Sequence, residues 1–330
     1  MGIGRRLDAY QRRHPWIGLP VAVVYKFIDD SGIYLASLIT YYAFVSIFPL
    51  LLLLVTALEY LLHGNARLQE GVLHSALADF PIIGDQIARN VHSLHGSVLA
   101  LVVGTVGALY GGLGVANAGQ YASNTIWAVP HTRRPDVPHL YGRSLALLLL
   151  VGTSLATTTV LSGLTTTASG VGVVIRVGAT LVATLVNVGV FLVVLRVLVA
   201  HSVSARHVLT GAVTGAVLWQ GLQEVGTFYV GHELRGVSAT YGLFGIVLGL
   251  MAWIYLGALI FVLSSEINVV LTRRLWPRNL LTLFTDNVRL TRADRRAYRA
   301  YATAEQRKAF ERVNVEFDRH PPDPPDPPLP

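Results

Sequence analysis

From Gly32 to Leu62 the chain carries no charged side chain until Glu59. A bilayer core is crossed by roughly 20 apolar helical residues, each rising about 1.5 Å. This run is longer than an ordinary core helix and too uniformly apolar for a surface one. The spacing predicts a first transmembrane helix over 31–62. Ser37, Thr40, Tyr41 and Phe44 fall at i, i+3, i+4 and i+7. They form one stripe that suits protein or a cavity better than lipid. Pro49 removes a backbone donor within the run, which predicts a kink or hinge near mid-membrane.

Composition supports the same class. Hydrophobic residues make up 52% of the chain and charged residues 14%, against about 25% charged in soluble domains. The net charge of +7 is gathered at the two ends and in short loops, so it does not indicate nucleic acid. There is no cysteine, which excludes disulfides, thiolate metal sites and a cysteine nucleophile. Residues 1–30 hold five basic side chains but no signal-peptide-like apolar core. They read as a cytoplasmic, interfacial lead-in helix whose arginines meet anionic headgroups.

Further along, residues 66–95 show two amphipathic stripes interrupted by Pro81, expected as short helices lying at the outer interface. A second span is expected over 97–127, where Gly107 and Gly111 have the small-xxx-small spacing that lets helices approach closely. Its second half carries Asn117, Gln120, Tyr121 and Asn124 at helical spacing. Spans three and four are expected over 145–165 and 173–199. The fifth, 208–230, carries Gly211 and Gly215 and then Gln220, Gln223, Glu224 and Thr227. The sixth, 241–271, carries Gly245, Gly249, Glu266 and Asn268. Residues 273–330 read as a charged cytoplasmic tail. Thr291 with Asp294, and Thr303 with Gln306, have capping-box spacing and predict two short helices there. The proline-rich end, 321–330, is expected to be extended or disordered.

Six spans with both termini inside leave four of the 26 basic residues outside: Arg67, Arg89, Arg176 and Arg235. Even with the long tail discounted, the inner side holds the excess, in accord with the positive-inside rule. The fold class expected is therefore an all-α polytopic membrane protein.

The motifs support a resemblance. Leu35 to Pro49 (LASLITYYAFVSIFP) resembles the signature first helix of the YihY/BrkB family of bacterial inner-membrane proteins. Asn124 to Trp127 resembles its motif at the end of the second span. Thr210 to Trp219, Phe228-Tyr229, Ala239 to Gly242, Trp253 to Leu256 and Glu266 to Asn268 resemble its C-terminal block. The resemblance covers about residues 31–278 and implies six helices and a role in envelope integrity or export. Many members have a proline before the fifth span, which residues 201–206 lack. An older ribonuclease label attached to the family finds no support in the residues. Nuclease chemistry wants clustered carboxylates or histidines around a metal. Here the acids are scattered, and His92 and His95 have no carboxylate at ligand spacing.

Glu224 stands out as a carboxylate within an apolar stretch, costly unless paired, protonated or wetted. With Gln220, Gln223 and Thr227 it forms either a substrate or proton site or an interhelical hydrogen-bond staple. Glu266 and Asn268 read as a cavity lining or as an interfacial ion pair with Arg273 and Arg274. Tyr41, Tyr42, Asn117, Gln120 and Asn124 share the inner half of the membrane. They are expected either to line a vestibule or to join helices. No cofactor and no metal are expected. Expected partners are membrane lipids, with homo-oligomers or envelope-assembly partners also open, and no nucleic acid. The leading function is a transporter or lipid translocase of the bacterial cytoplasmic membrane. The alternative is a non-catalytic scaffold for envelope assembly.

Overall fold

The computed structural model describes residues 8–61, 98–149, 173–285 and 288–317, apart from positions 9, 12, 137, 148, 201–202 and 233. The described residues fold into helices joined by turns, with no strand among them. The expected outer segment 66–95, most of the third span and the proline-rich end lie outside the described residues.

Helix α1 is Pro15–Asp29, with proline in its first turn, where a missing N–H costs nothing. It stops at Ser31, whose φ of 56° turns the chain. Gly32 follows because a Cβ there would sit 2.3 Å from the Phe27 ring. Helix α2, Gly32–Leu61, runs on through Pro49. Helix α3 is Val98–Ile126, and Ala128 at φ 44° ends its last turn. Helices α4 (Val173–Val197), α5 (Ala205–His232) and α6 (Leu234–Arg273) follow. These bounds agree with the expected first, second, fourth, fifth and sixth helical segments to within a few residues, α6 beginning seven residues early.

Helix α7, Arg292–Ala304, opens on a complete capping box of Thr291 and Asp294. The second helix expected after Thr303 is absent, and residues 305–317 form turns and extended chain. The Thr303 hydroxyl donates back to Arg299 O inside α7 and so cannot cap. The Gln306 amide donates to the carbonyls of Lys308 and Glu311.

Glycines set how closely the helices approach. A Cβ on Gly107 would meet Pro49 at 2.7 Å, one on Gly111 would meet Ser46 at 2.3 Å, and one on Gly114 would meet Tyr42 at 2.3 Å. Helices α2 and α3 therefore pack backbone against backbone, and the ring of Pro49 fills the space over Gly107. Gly211 and Gly215 do the same for α5 on α6, against Ser264 and Asn268, with Phe191 of α4 also against Gly215. Gly245 and Gly249 are half-buried on α6.

The outside of this bundle is apolar. Val106 is 62% exposed and Tyr110 68% exposed on α3, and Val217, Phe244 and Leu248 are exposed on α5 and α6. Meanwhile Lys26, Asp30, Glu266, Arg278 and Asp294 are buried. A water-soluble chain distributes these the other way round. Among the described residues, Leu101–Ile126 and Val247–Arg273 are long and apolar enough to cross a membrane.

Candidate functional site

The charged centre of the molecule forms where α1 turns into α2. The apolar sequence of α1 (VAVVYKFID) places Lys26 one turn before Asp30, on its buried side. Lys26 Nζ donates to Asp30 Oδ2 and to the carbonyl of Ile126 at 3.0 Å. That carbonyl is free because α3 ends there. From α6, Glu266 Oε2 faces the same ammonium at 3.7 Å. Glu266 is fully buried and shares the Lys26 ammonium with Asp30. Asp30 and Glu266 interact with each other as well as with the lysine. The Tyr301 ring of α7 closes the cluster, 5.2 Å from Nζ. Arg273 adds a second positive charge at longer range, its guanidinium donating to Trp127 O.

A second network lies beside it. Arg278, fully buried, donates to Asp294 at 2.6 Å and to Asp29 at 2.9 Å. Its guanidinium stands near the rings of Tyr25 and Tyr298. Asp294 also accepts from the backbone and hydroxyl of Thr291, each at 2.8 Å, and from the Asn279 amide. Adjacent acids thus serve separate cations: Asp29 holds Arg278 and Asp30 holds Lys26. Burial works against the Arg278 charge, but Asp29 and Asp294 outweigh it and raise its pKa. Burial, followed by Asp30 and Asp29, raises the Tyr301 hydroxyl.

Burial raises the Asp30 carboxyl above its ordinary value, and Lys26 only partly opposes this. A raised acid binds its proton more tightly when folded. Its contribution to stability is therefore full below the ordinary carboxylate range and is lost as pH rises through the shifted value. Acidifying detergent-solubilised protein from neutrality should raise its melting temperature, and Asp30→Asn should flatten that slope. Equal slopes in the two proteins would remove Asp30 from the cause.

The expected site residues separate into groups. Gln120, fully buried, donates to Ser144 Oγ at 2.8 Å and to Leu140 O at 3.2 Å. Ser144 donates to Asn117 Oδ1 at 2.8 Å, and Asn124 Oδ1 accepts from the Ala200 amide at 2.8 Å. This ridge joins α3 to its neighbours. Asn268 Oδ1 accepts from the Gly211 amide at 2.7 Å, fastening α5 to α6. Tyr41 is exposed, and Tyr42 packs on Gly114. Glu224 is exposed on α5, with the Gln220 amide 3.4 Å from Oε1. Gln223 is half-buried, and the Thr227 side chain lies outside the described residues. None of the described members of the α5 group joins the Lys26 cluster.

Glu266 does form an ion pair, but with Lys26 and not with Arg273 or Arg274. Arg273 is committed to Trp127 O, and Arg274 is exposed past the helix end. Sequence reasoning missed Lys26, Asp30, Asp29 and Arg278, and read Asp294 only as a helix cap. The available signal was the Lys26–Asp30 spacing of i, i+4 at the end of an apolar helix.

Among the described residues, no group of three histidines, cysteines or carboxylates is placed to hold a metal. The arrangement is chemically an acid–ammonium cluster, able to hold or exchange a proton. Apolar helix faces outside and ionic groups inside define a helical membrane protein.

The comparisons place that class in a family. Residues 23–281 match the model for the family described as virulence factor BrkB, and the chain belongs to it. It is also 38% identical over 71 residues to the putative ribonuclease-like protein YfkH of Bacillus subtilis (strain 168). That match covers 22% of this chain and 26% of the relative. No solved structure matches the chain.

Proposed function

We propose that this BrkB-family chain is a transporter or lipid translocase of the bacterial cytoplasmic membrane. It crosses the membrane six times with both termini inside, and its Lys26–Asp30–Glu266 cluster is the proton-exchanging part of its working cycle. The observation that carries this reading is Glu266. A carboxylate within a membrane helix is costly and marks a pathway or relay more often than a packing contact. Here it shares one buried ammonium with a second carboxylate. Two carboxylates facing one ammonium favour holding a shared proton over carrying two full charges.

Reconstitution into liposomes with labelled lipids and small solutes, and a pH-sensitive dye inside, tests the proposal. Wild type should move a substrate. Glu266→Gln should slow it by about a hundredfold or more, the scale lost when an acid–base group is removed. Glu224→Gln, outside the Lys26 cluster, should leave the rate nearly unchanged.

One observation favours a scaffold for envelope assembly instead. Asn117, Gln120 and Asn124 are all spent on joining helices. If no substrate moves, and Glu266→Gln leaves folding and cellular phenotype intact, the scaffold is the better reading.

A further inference from the structure

Past the end of α6 the chain builds a cleft of about 860 Å³ lined by Arg274, Trp276, Arg292, Arg295, Arg296 and Arg299. Four of these arginines fall at i, i+3, i+4 and i+7 of α7 and share one exposed face. The opposite face of α7 buries Ala293, Asp294 and Ala297. Arg274 closes the cleft from the other side, its carbonyl accepting from Arg296 at 2.5 Å.

An arginine face on a surface helix is usually offset by acids one turn away. Here the pairs Arg292–Arg296 and Arg295–Arg299 place like charges at i, i+4, which disfavours a helix. The acid within α7, Asp294, points to the other side and is consumed by Arg278. Among the described residues no carboxylate lies within 4.0 Å of any of the five guanidinium groups. What covers Arg295 and Arg299 is aromatic: the Phe317 ring stands 5.7 and 5.5 Å from them. Five arginines and a tryptophan line one cleft, and their forked, charged donors suit an anion with several oxygens.

We propose that this cleft binds a phosphate-bearing anion. It adjoins the end of an apolar helix long enough to cross a membrane. The phosphate can therefore arrive on a lipid headgroup or free from solution. This inference does not depend on transport.

The full chain is placed in phosphatidylcholine nanodiscs and offered radiolabelled pyrophosphate in equilibrium dialysis. In a second arm, nanodiscs doped with phosphatidylglycerol are assayed for lipid retained by the protein. Saturable binding in the first arm identifies a free phosphate as ligand. Selective retention in the second identifies a headgroup. In whichever arm is positive, Arg295→Gln with Arg299→Gln should weaken binding by about tenfold or more, as expected for losing charge-assisted bonds. Arg307→Gln, which removes the same charge outside the cleft beside Glu305, should leave it within about twofold. The altered arginines are exposed, so an unchanged elution volume is expected and shows that the variants fold. Binding in neither arm overturns the proposal. So does an equal loss in the Arg307 variant, which would reduce the effect to net charge.

Discussion

Lys26→Met should be among the most damaging single substitutions in this chain. It removes the ammonium from between Asp30 and Glu266 and leaves two buried carboxylates facing each other. Breaking a buried pair by deleting one partner costs about 3–5 kcal/mol, because the other charge stays uncompensated. The same change orphans the Ile126 carbonyl at the end of α3. Thermal unfolding in detergent should show the loss directly. The damage comes from stranded charge and not from lost volume, since methionine fills a similar space. Neutralising the acids should therefore restore much of the stability: the triple variant with Asp30→Asn and Glu266→Gln should be more stable than Lys26→Met alone. If Lys26→Met is silent, or the triple variant is worse, the cluster is not closed in the way the distances imply.

A pair of glycine substitutions gives the second large effect. A Cβ on Gly211 would lie 2.2 Å from the carbonyl oxygen of Ser264 and 2.4 Å from the Asn268 amide nitrogen. The nearest obstacle is backbone, which cannot rotate away. Gly211→Ala should push α5 off α6, stretch the 2.7 Å bond from the Gly211 amide to Asn268, and cost about 1–3 kcal/mol as overpacking. Gly221→Ala lies on the same helix with nothing within 4 Å of the added carbon. It should be neutral or stabilise by up to about 1 kcal/mol through helix propensity. Melting temperatures of the two proteins in one detergent decide the matter. Equal behaviour would mean that α5 and α6 do not touch at Gly211.

These contrasts also mark what sequence can convey. The helical segments were legible because an uninterrupted apolar run, such as Ile33 to Ala57, admits few other structures in a membrane. The close approaches at Gly107, Gly111, Gly211 and Gly215 were legible because spacing by four puts small residues on one face. The Asn117–Gln120–Asn124 ridge was visible as a ridge, but its partners were not. Ser144 and the Ala200 amide belong to neighbouring parts of the bundle, and nothing local specifies them. The same limit hid the partner of Glu266. Nearby arginines at 273 and 274 were the natural choice by sequence distance, whereas Lys26 lies on the first helix and is brought in by packing. Glu224 drew attention because a lone acid in an apolar run is costly. The folded chain places it on an exposed face beside Gln220, and puts the buried carboxylates elsewhere. Thr303 and Gln306 had the spacing of a cap but not its geometry, because Thr303 still belongs to the helix before it.

The chain contains no cysteine, so single thiols can be placed and read cleanly. Val106 and Arg295 are both exposed on the folded chain, one on an apolar helix face and one on the arginine face of α7. The decisive measurement is labelling of Val106→Cys and Arg295→Cys by a membrane-impermeant maleimide in membrane vesicles opened by brief freeze–thaw. A bilayer around the apolar faces predicts that Arg295→Cys reacts readily, while Val106→Cys stays unlabelled until detergent is added. Equal labelling of the two thiols before detergent would mean that water, and not lipid, bathes these helices.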